Sequence, residues 1–392
     1  MHKIQDAQIE NKKVLLRVDF NVPMLKNGEI ESDKRIREAL PTIQYLLDHK
    51  ATQINIVSHL GKPDGKNVPK FSLWPIANRL AELLSIDKKF DGPADEFKIS
   101  DKITLLENLR FNSGEEANDP TFAKNLASLA DLFINDAFGT AHRAHASTEG
   151  VTKFLPSFGG LLVQKEVESL NKLLSDTDKP FTVILGGAKI ADKLPVIKNL
   201  ISRADNFLIG GAIGSTFLAA RRHHLGKSLV EAEEYKDANN IWQTLVNDPK
   251  RNLYLPKDLL MSLSLEKPED LQEVDIEQLW QSDFADYAAV DIGPKTIEQY
   301  QKNIAESKTV FWNGNMGESE IPEFANGTVA MAQAIKELAQ DDSTYIVIGG
   351  GDTVAAVEKI EPNRPNLFLS TGGGATLEYL AGKVLPGLKA LE

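Results

Sequence analysis

One recurring order restricts the fold more than any other feature. A short β-prone apolar run stops abruptly in a polar or glycine-rich cluster, and a helical pattern follows. In the first half, Lys13–Val18 ends in Asp19-Phe20-Asn21-Val22-Pro23, and Gln53–Val57 ends in Ser58-His59-Leu60-Gly61-Lys62-Pro63. Ile103–Leu106 runs into Glu107-Asn108-Leu109-Arg110-Phe111, and residues 132–134 run into 135–143, which include His142 and Arg143. The periodicity predicts helices over 36–47 and 73–84, the second capped by Ser72. Such alternation predicts an α/β chain with parallel sheets covered on both faces. In sheets of this kind ligands sit at the carboxyl ends of the strands, where the polar clusters fall.

The second half keeps the order, but glycine replaces arginine. Phe181–Leu185 ends in Gly186-Gly187-Ala188-Lys189, with Lys193 one helical turn further on and able to face the same way. Asn206–Ile209 ends in Gly210-Gly211-Ala212-Ile213-Gly214. The run 345–348 ends in Gly349-Gly350-Gly351-Asp352-Thr353, and Leu367–Leu369 ends in Ser370-Thr371-Gly372-Gly373-Gly374-Ala375. Glycine lets backbone N–H groups approach an anion closely, and a helix N-terminus favours negative charge. Four such turns in one half point to a nucleotide or polyphosphate site. Alternatives stand beside several of these residues. Asp352 is either a metal ligand or an N-cap. Lys189 and Lys193 either reach phosphates or form a solvated helix face with Asp192. The run 309–312 leads into an Asn-Gly turn at Asn313-Gly314, where Asn313 also suits turn chemistry alone. Glu320, beyond it, either meets a ribose hydroxyl or is solvated. Neither a GxxxxGK[ST] loop nor a GxGxxG turn after a strand occurs.

At 392 residues the chain predicts two or three domains of about 150 residues each. The amphipathic run Leu161–Leu174, followed by Asp176-Thr177-Asp178-Lys179-Pro180, reads as a bridging helix and a domain boundary. Apolar residues make up 42% and charged residues 26%, as in ordinary soluble proteins. A net charge of −12 argues against a broad nucleic-acid surface, so any anion site must be a local concentration of cations and amides. With no cysteine, disulfides, thiolate metal sites and cysteine nucleophiles are excluded. No apolar run approaches the roughly 18 residues of a membrane span, and residues 1–6 lack a signal-peptide pattern. A soluble cytoplasmic protein is expected.

The first-half clusters hold Asp19, Asn21, Arg35, His59, Arg110, His142 and Arg143. Guanidinium forks suit phosphate and carboxylate, so a small, multiply anionic substrate is expected. Arg17, inside its strand, is expected to pair with an acidic side chain. His142 and His145 add charge or pack, and their spacing is not that of a metal site. An anion site in one half and a nucleotide site in the other imply phosphoryl transfer across a closing cleft. That chemistry needs positioning and cationic shielding rather than a nucleophile. Arg35 and Lys189 supply charge, Asp352 suits Mg²⁺, and glycine amides suit phosphate oxygens.

The motifs RVDFNVP (17–23), SHLGKP (58–63), ENLRF (107–111), DAFGTAHRAHAST (136–148), GGAKIADK (186–193), VDIGPKT (290–296), WNG (312–314), GGGDT (349–353) and STGGGA (370–375) resemble the phosphoglycerate kinase family, in order over nearly the whole chain. The resemblance implies Mg²⁺-dependent, reversible transfer between ATP and the carboxylate of 3-phosphoglycerate, giving ADP and 1,3-bisphosphoglycerate in glycolysis. It implies two Rossmann-like three-layer domains with a hinged cleft. Residues 1–160 with a tail from about 377 to 392 would bind phosphoglycerate, 161–176 would bridge, and 177–376 would bind nucleotide. By the family pattern Asp19, Phe20, Asn21, Arg35, His59, Leu60, Gly61, Lys62, Arg110 and Arg143 hold phosphoglycerate. Lys193, Gly211, Asn313, Glu320, Gly350, Gly351, Asp352 and Thr353 hold the nucleotide, with Asp352 on the metal. Arg35, Lys189, Gly351 and Gly373 stabilise the moving phosphoryl group. A cytoplasmic monomer is implied. The chain departs from the pattern at Lys62, where Arg is usual, at Ala212, where a third Gly is usual, and at Asn315 and Glu318-Ser319 after WNG. A dinucleotide-dependent oxidoreductase is the rival enzyme class, but its GxGxxG turn is missing. A non-catalytic sensor is the other rival, and it should have lost Arg35, Lys189 or Asp352.

Overall fold

A computed structural model describes residues 1–175, 177–280, 282–359 and 364–392. The chain divides into two compact units, Met1–Glu168 with Val384–Glu392, and Ser169–Lys383. The dividing point falls inside the helix Leu161–Leu174. The C-terminal segment of the first unit begins at Val384, and residues 377–383 belong to the second. Asp176, in the expected break after the helix, lies outside the described residues.

The first unit is built on β1 (Lys13–Val18), β2 (Gln53–Val57), β3 (Glu96–Lys98), β4 (Ile103–Leu106), β5 (Leu132–Asp136) and β6 (Ser157–Gly159). Their order is β3-β4-β2-β1-β5-β6, parallel except for the β3–β4 pair. Side chains alternate across a strand, so a central strand covered on both faces must be apolar at every position. β1 obeys this. Val14, Leu16 and Val18 join one core with Ile54, Ile56 and Ile134, where the helices Lys34–Asp48 and Trp74–Leu83 bury Ile36, Ile43, Ile76 and Leu80. Leu15 joins the opposite core with Val57, Phe133 and Leu126. Arg17 lies on Leu15's side of the strand and is 1% exposed. The C-terminal segment closes this unit: Gly387 N–H donates to Ala141 O at 2.8 Å, and His2 N–H to Leu391 O at 2.7 Å.

The second unit holds β7 (Phe181–Leu185), β8 (Asn206–Ile209), β9 (Asn252–Tyr254), β10 (Asp258–Ser262), β11 (Gln272–Asp275), β12 (Ala288–Ile292), β13 (Thr309–Asn313), β14 (Tyr345–Gly349) and β15 (Leu367–Leu369). Six of them form a parallel sheet in the order β15-β14-β13-β7-β8-β9. Trp312, Ile346, Ile348 and Ile184 form its core with Met331 and Ile335 of the helix Asn326–Leu338. The separate antiparallel sheet β11-β10-β12 is absent from the sequence expectation. Its strands are four or five residues long and, among the described residues, no α-helix separates them, so periodicity carries little signal there.

Three local expectations need correction. The second helix starts at Trp74 with Leu73 as N-cap, not at 73 with Ser72 as its cap. The Glu107 carboxylate takes the Leu73 N–H at 2.7 Å and the Ser72 hydroxyl, and so competes for the capping role. Asp352 is not the N-cap of its helix. Gly350 is, at φ 91°, and Asp352 sits in the first turn of Gly351–Glu358. Lys189 and Lys193 do not share a helix, because the helix begins at Leu194 with Lys193 as its N-cap. Pro195, inside the first turn, is compatible with a start there but not further back.

Candidate active site

In the first unit the carboxyl ends of β1, β2, β4 and β5 bring the predicted cationic cluster together. Parallel neighbours end on one edge, so residues far apart in sequence become adjacent. After β1, the Asp19 carboxylate is buried and pairs with Arg35 Nη1 at 2.6 Å, Arg35 coming from the first turn of the helix Lys34–Asp48. Asn21 Oδ1 accepts the Gly61 N–H at 2.9 Å, which ties the turn after β1 to the one after β2. Gly61 has φ 64°, and a Cβ there would lie 2.3 Å from the Phe71 ring, so only glycine fits. Arg110 Nη1 donates to Gly61 O at 2.8 Å, and its Nε lies 3.2 Å from Glu116 Oε1. Arg143 Nε donates to His142 Nε2 at 3.2 Å. Phe20 and Leu60 point into the core, so their share in any site is through backbone, while Lys62 is exposed. His59 is 3% exposed, and its pKa is pushed well below the ordinary 6.5 by burial first and then by Arg17, Arg110 and Arg35.

Beneath this cluster lies a buried network that sequence reasoning reached only in part. Arg17 Nε donates to Ser147 Oγ at 2.8 Å, and Ser147 Oγ donates to Glu115 Oε1 at 2.6 Å. Arg17 therefore finds an acidic partner, but through a hydroxyl. Nothing local marks Glu115 or Ser147, which lie about a hundred residues or more from Arg17.

In the second unit a cavity of about 520 Å³ opens at the ends of β7, β8, β13 and β14. Gly187, Lys189, Lys193, Gly211 and Asn313 line it, as do Gly350, Gly351, Asp352 and Thr353. The end of β13 and the segment after it stitch the turns together: Gly186 N–H donates to Asn313 O, Gly187 N–H to Asn315 O, and Gly211 N–H to Met316 O, at 2.7 to 3.0 Å. Gly211 has φ 58°, and a Cβ there would lie 2.7 Å from Gly187 N. Lys193 is 8% exposed, lowered in pKa by burial first, and its ammonium has no ion pair or hydrogen bond among the described residues. Lys189 and Asp352 are exposed. Asn313 Nδ2 is buried with no hydrogen-bond partner among the described residues. Glu318 lines the cavity, whereas Glu320 is exposed and is not among the lining residues. Gly373, at φ 55°, N-caps the helix Gly374–Leu380 and is likewise outside the lining.

Sequence reasoning missed the apolar wall formed by Leu229, Leu259, Leu265 and Val290, because the three leucines lie in no motif and Val290 reads only as the start of VDIGPKT. It also passed over Asp291. This carboxylate is 3% exposed and accepts the Gly327 and Ile292 N–H groups at 2.7 and 2.8 Å. Burial raises its pKa to about 7. The VDIGPKT motif was its only signal.

Two polar constellations, one cationic and one rich in glycine turns, suit transfer between bound anions. The phosphoglycerate kinase family model matches residues 4–383. The chain is 47% identical over 397 residues to the phosphoglycerate kinase of Dictyoglomus turgidum, an alignment covering 99% of this chain and 98% of that protein. Its fold is similar to phosphoglycerate kinase from Coxiella burnetii, with TM-score 0.81 and 38% identity over 99% of this chain and 98% of the other. The Pyrococcus horikoshii OT3 phosphoglycerate kinase gives TM-score 0.82 and 32% identity over 100% and 98%. The α/β units with mostly parallel sheets and the strand-end clusters are thus those of a phosphotransferase, and the chain belongs to the phosphoglycerate kinase family.

Proposed function

We propose that this chain transfers a phosphoryl group directly between ATP and the carboxylate of 3-phosphoglycerate, with Mg²⁺, as a cytoplasmic monomer of glycolysis. The observation that carries the reading is the separation of roles. One unit gathers Arg35, Arg110 and Arg143 with His59 at its strand ends, and the other sets the buried Lys193 ammonium beside glycine turns. The acceptor carboxylate is ionised at neutral pH, so no general base is required. The barrier is repulsion between anions, which fixed cations and amides relieve without reorganising.

Asp19, Asn21, His59, Arg110 and Arg143 would hold phosphoglycerate, with the backbone of Phe20, Leu60 and Gly61 shaping the floor and Lys62 adding charge at the rim. Lys193, Gly211, Asn313, Gly350 and Thr353 would hold the nucleotide phosphates, with Glu318 or Glu320 toward the sugar. Arg35 and Lys189, with the amides of Gly351 and Gly373, would neutralise charge on the moving group. Among the described residues no cluster of three or more His, Cys, Asp or Glu could hold a metal alone. Mg²⁺ binds through one or two carboxylates and completes its shell with phosphates and water. Asp352 is the residue that would hold it, and the ion would supply shielding of phosphate charge there. Because the two ligands would sit on different units, in-line transfer calls for hinge closure.

A coupled assay tests the proposal. Purified protein with Mg²⁺, ATP and 3-phosphoglycerate should form ADP and an acyl phosphate, and no acyl phosphate would refute it.

A further inference from the structure

We propose that Arg17 is a positioning residue that fixes His59 as a neutral imidazole protonated on Nε2, so that His59 meets phosphoglycerate as an uncharged hydrogen-bond donor. The inference rests on the reading of this cluster as the phosphoglycerate site.

Arg17 Nη2 lies 3.2 Å from His59 Nδ1. A guanidinium nitrogen only donates, so Nδ1 must accept and cannot carry a proton. In a neutral ring the proton is then on Nε2. An imidazolium would set an Nδ1–H against a guanidinium N–H, two donors face to face. Nε2 has no hydrogen-bond partner among the described residues, which leaves its N–H for a ligand.

The guanidinium is held on every side. Nε donates to Ser147 Oγ, whose own hydrogen goes to Glu115 Oε1, and Ser147 N–H donates to Glu115 Oε2 at 3.0 Å. Nη1 donates to Val18 O. Arg17 and Glu115 are both fully buried, so their charges compensate through the hydroxyl, and rotation of either would strand a charge in the core. Burial first, and then Arg17 from β1, Arg110, Arg35 and His145, oppose a positive charge on the His59 ring. Among the described residues its anionic neighbour is Asp19, whose Oδ1 is 3.9 Å from Nδ1 while its Oδ2 pairs with Arg35. A neutral donor also suits the cluster, since the arginines already supply charge and a directional N–H adds orientation.

The direct test is nitrogen NMR of the histidine rings in the full-length, substrate-free protein, with His59 assigned by its loss in His59→Gln. His59 should show an acceptor-type Nδ1 and a protonated Nε2, unchanged from pH 5.5 to 8.5. A protonated Nδ1, or titration near the ordinary value of about 6.5, would overturn the inference. Arg17→Lys provides a second readout. It should raise the KM for 3-phosphoglycerate about tenfold, the worth of one well-aligned bond to a charged group, while the KM for ATP stays within about twofold. Equal rises in both KM values, or no change, would count against it. Should Arg17→Lys fail to fold, the spectrum of the unaltered protein decides alone. That spectrum needs no activity, so it separates failure of this inference from failure of the kinase reading.

Discussion

Asp291→Asn should change the pH dependence of stability of the second unit in a calculable way. Asp291 is 3% exposed, and its pKa is raised by burial from the ordinary 3.8 to about 7, against the opposing effect of N–H bonds from Gly327 and Ile292. The native state therefore holds this proton more tightly than the unfolded chain. The contribution is full below the unfolded value and is lost as pH rises through about 7. Each pH unit in that window removes about 1.4 kcal/mol, so ionisation costs the native state about 4 kcal/mol in all. An amide does not titrate, so subtracting the variant's unfolding free energy from the parent's isolates this one group. Urea unfolding at pH 5 and pH 8 should show that difference falling by about 3 kcal/mol, two pH units at 1.4 each. A Trp74→Phe background confines tryptophan fluorescence to Trp242, Trp280 and Trp312, all in the second unit. A difference constant to about 0.5 kcal/mol would refute the argument that burial dominates. A rising difference would mean that the two N–H groups stabilise the carboxylate more than burial penalises it.

Other expectations follow from single residues. Asp352→Asn should leave the thermal midpoint unchanged, because Gly350 rather than Asp352 is the N-cap, while Mg²⁺-dependent turnover falls; full turnover would remove Asp352 from the metal. Arg35→Ala and Lys189→Ala should lower kcat more than they raise KM, as loss of interactions made in the transition state does, and a change confined to KM would reassign them to ground-state binding. Gly211→Ala should destabilise by roughly 1 to 3 kcal/mol, since its φ is 58° and its new Cβ would meet Gly187 N at 2.7 Å. At Gly351 a Cβ meets nothing within 4 Å, so Gly351→Ala should keep the thermal midpoint; a loss there equal to that at Gly211 would refute the steric account.

Local patterning identified what depends on neighbours in sequence. β1, β2, β4, β7 and β8 follow from apolar runs of four to six residues ended by polar or glycine clusters, and the helix Leu161–Leu174 follows from its amphipathic period. Capping was less legible. Leu73, Gly350 and Lys193 hold positions where Ser72, Asp352 and a longer helix were expected, because a distant carboxylate, a positive-φ glycine and a proline settled those ends. The sheet β11-β10-β12 went unseen because its pairing joins strands with no shared local signal.

By itself the sequence determined the α/β class, the cationic and glycine-rich strand ends, and the family, since these are carried by residue type and order along the chain. Only the tertiary structure decided which cations are free to act. Arg17, Arg35, Arg110 and Arg143 carry the same charge, yet Arg17 is buried and spent on Ser147 and His59, while Lys193 is buried with no ion pair among the described residues. The reason is physical: a buried charge takes its role from whatever the fold brings within about 3 Å, and for Arg17 that is a serine 130 residues away.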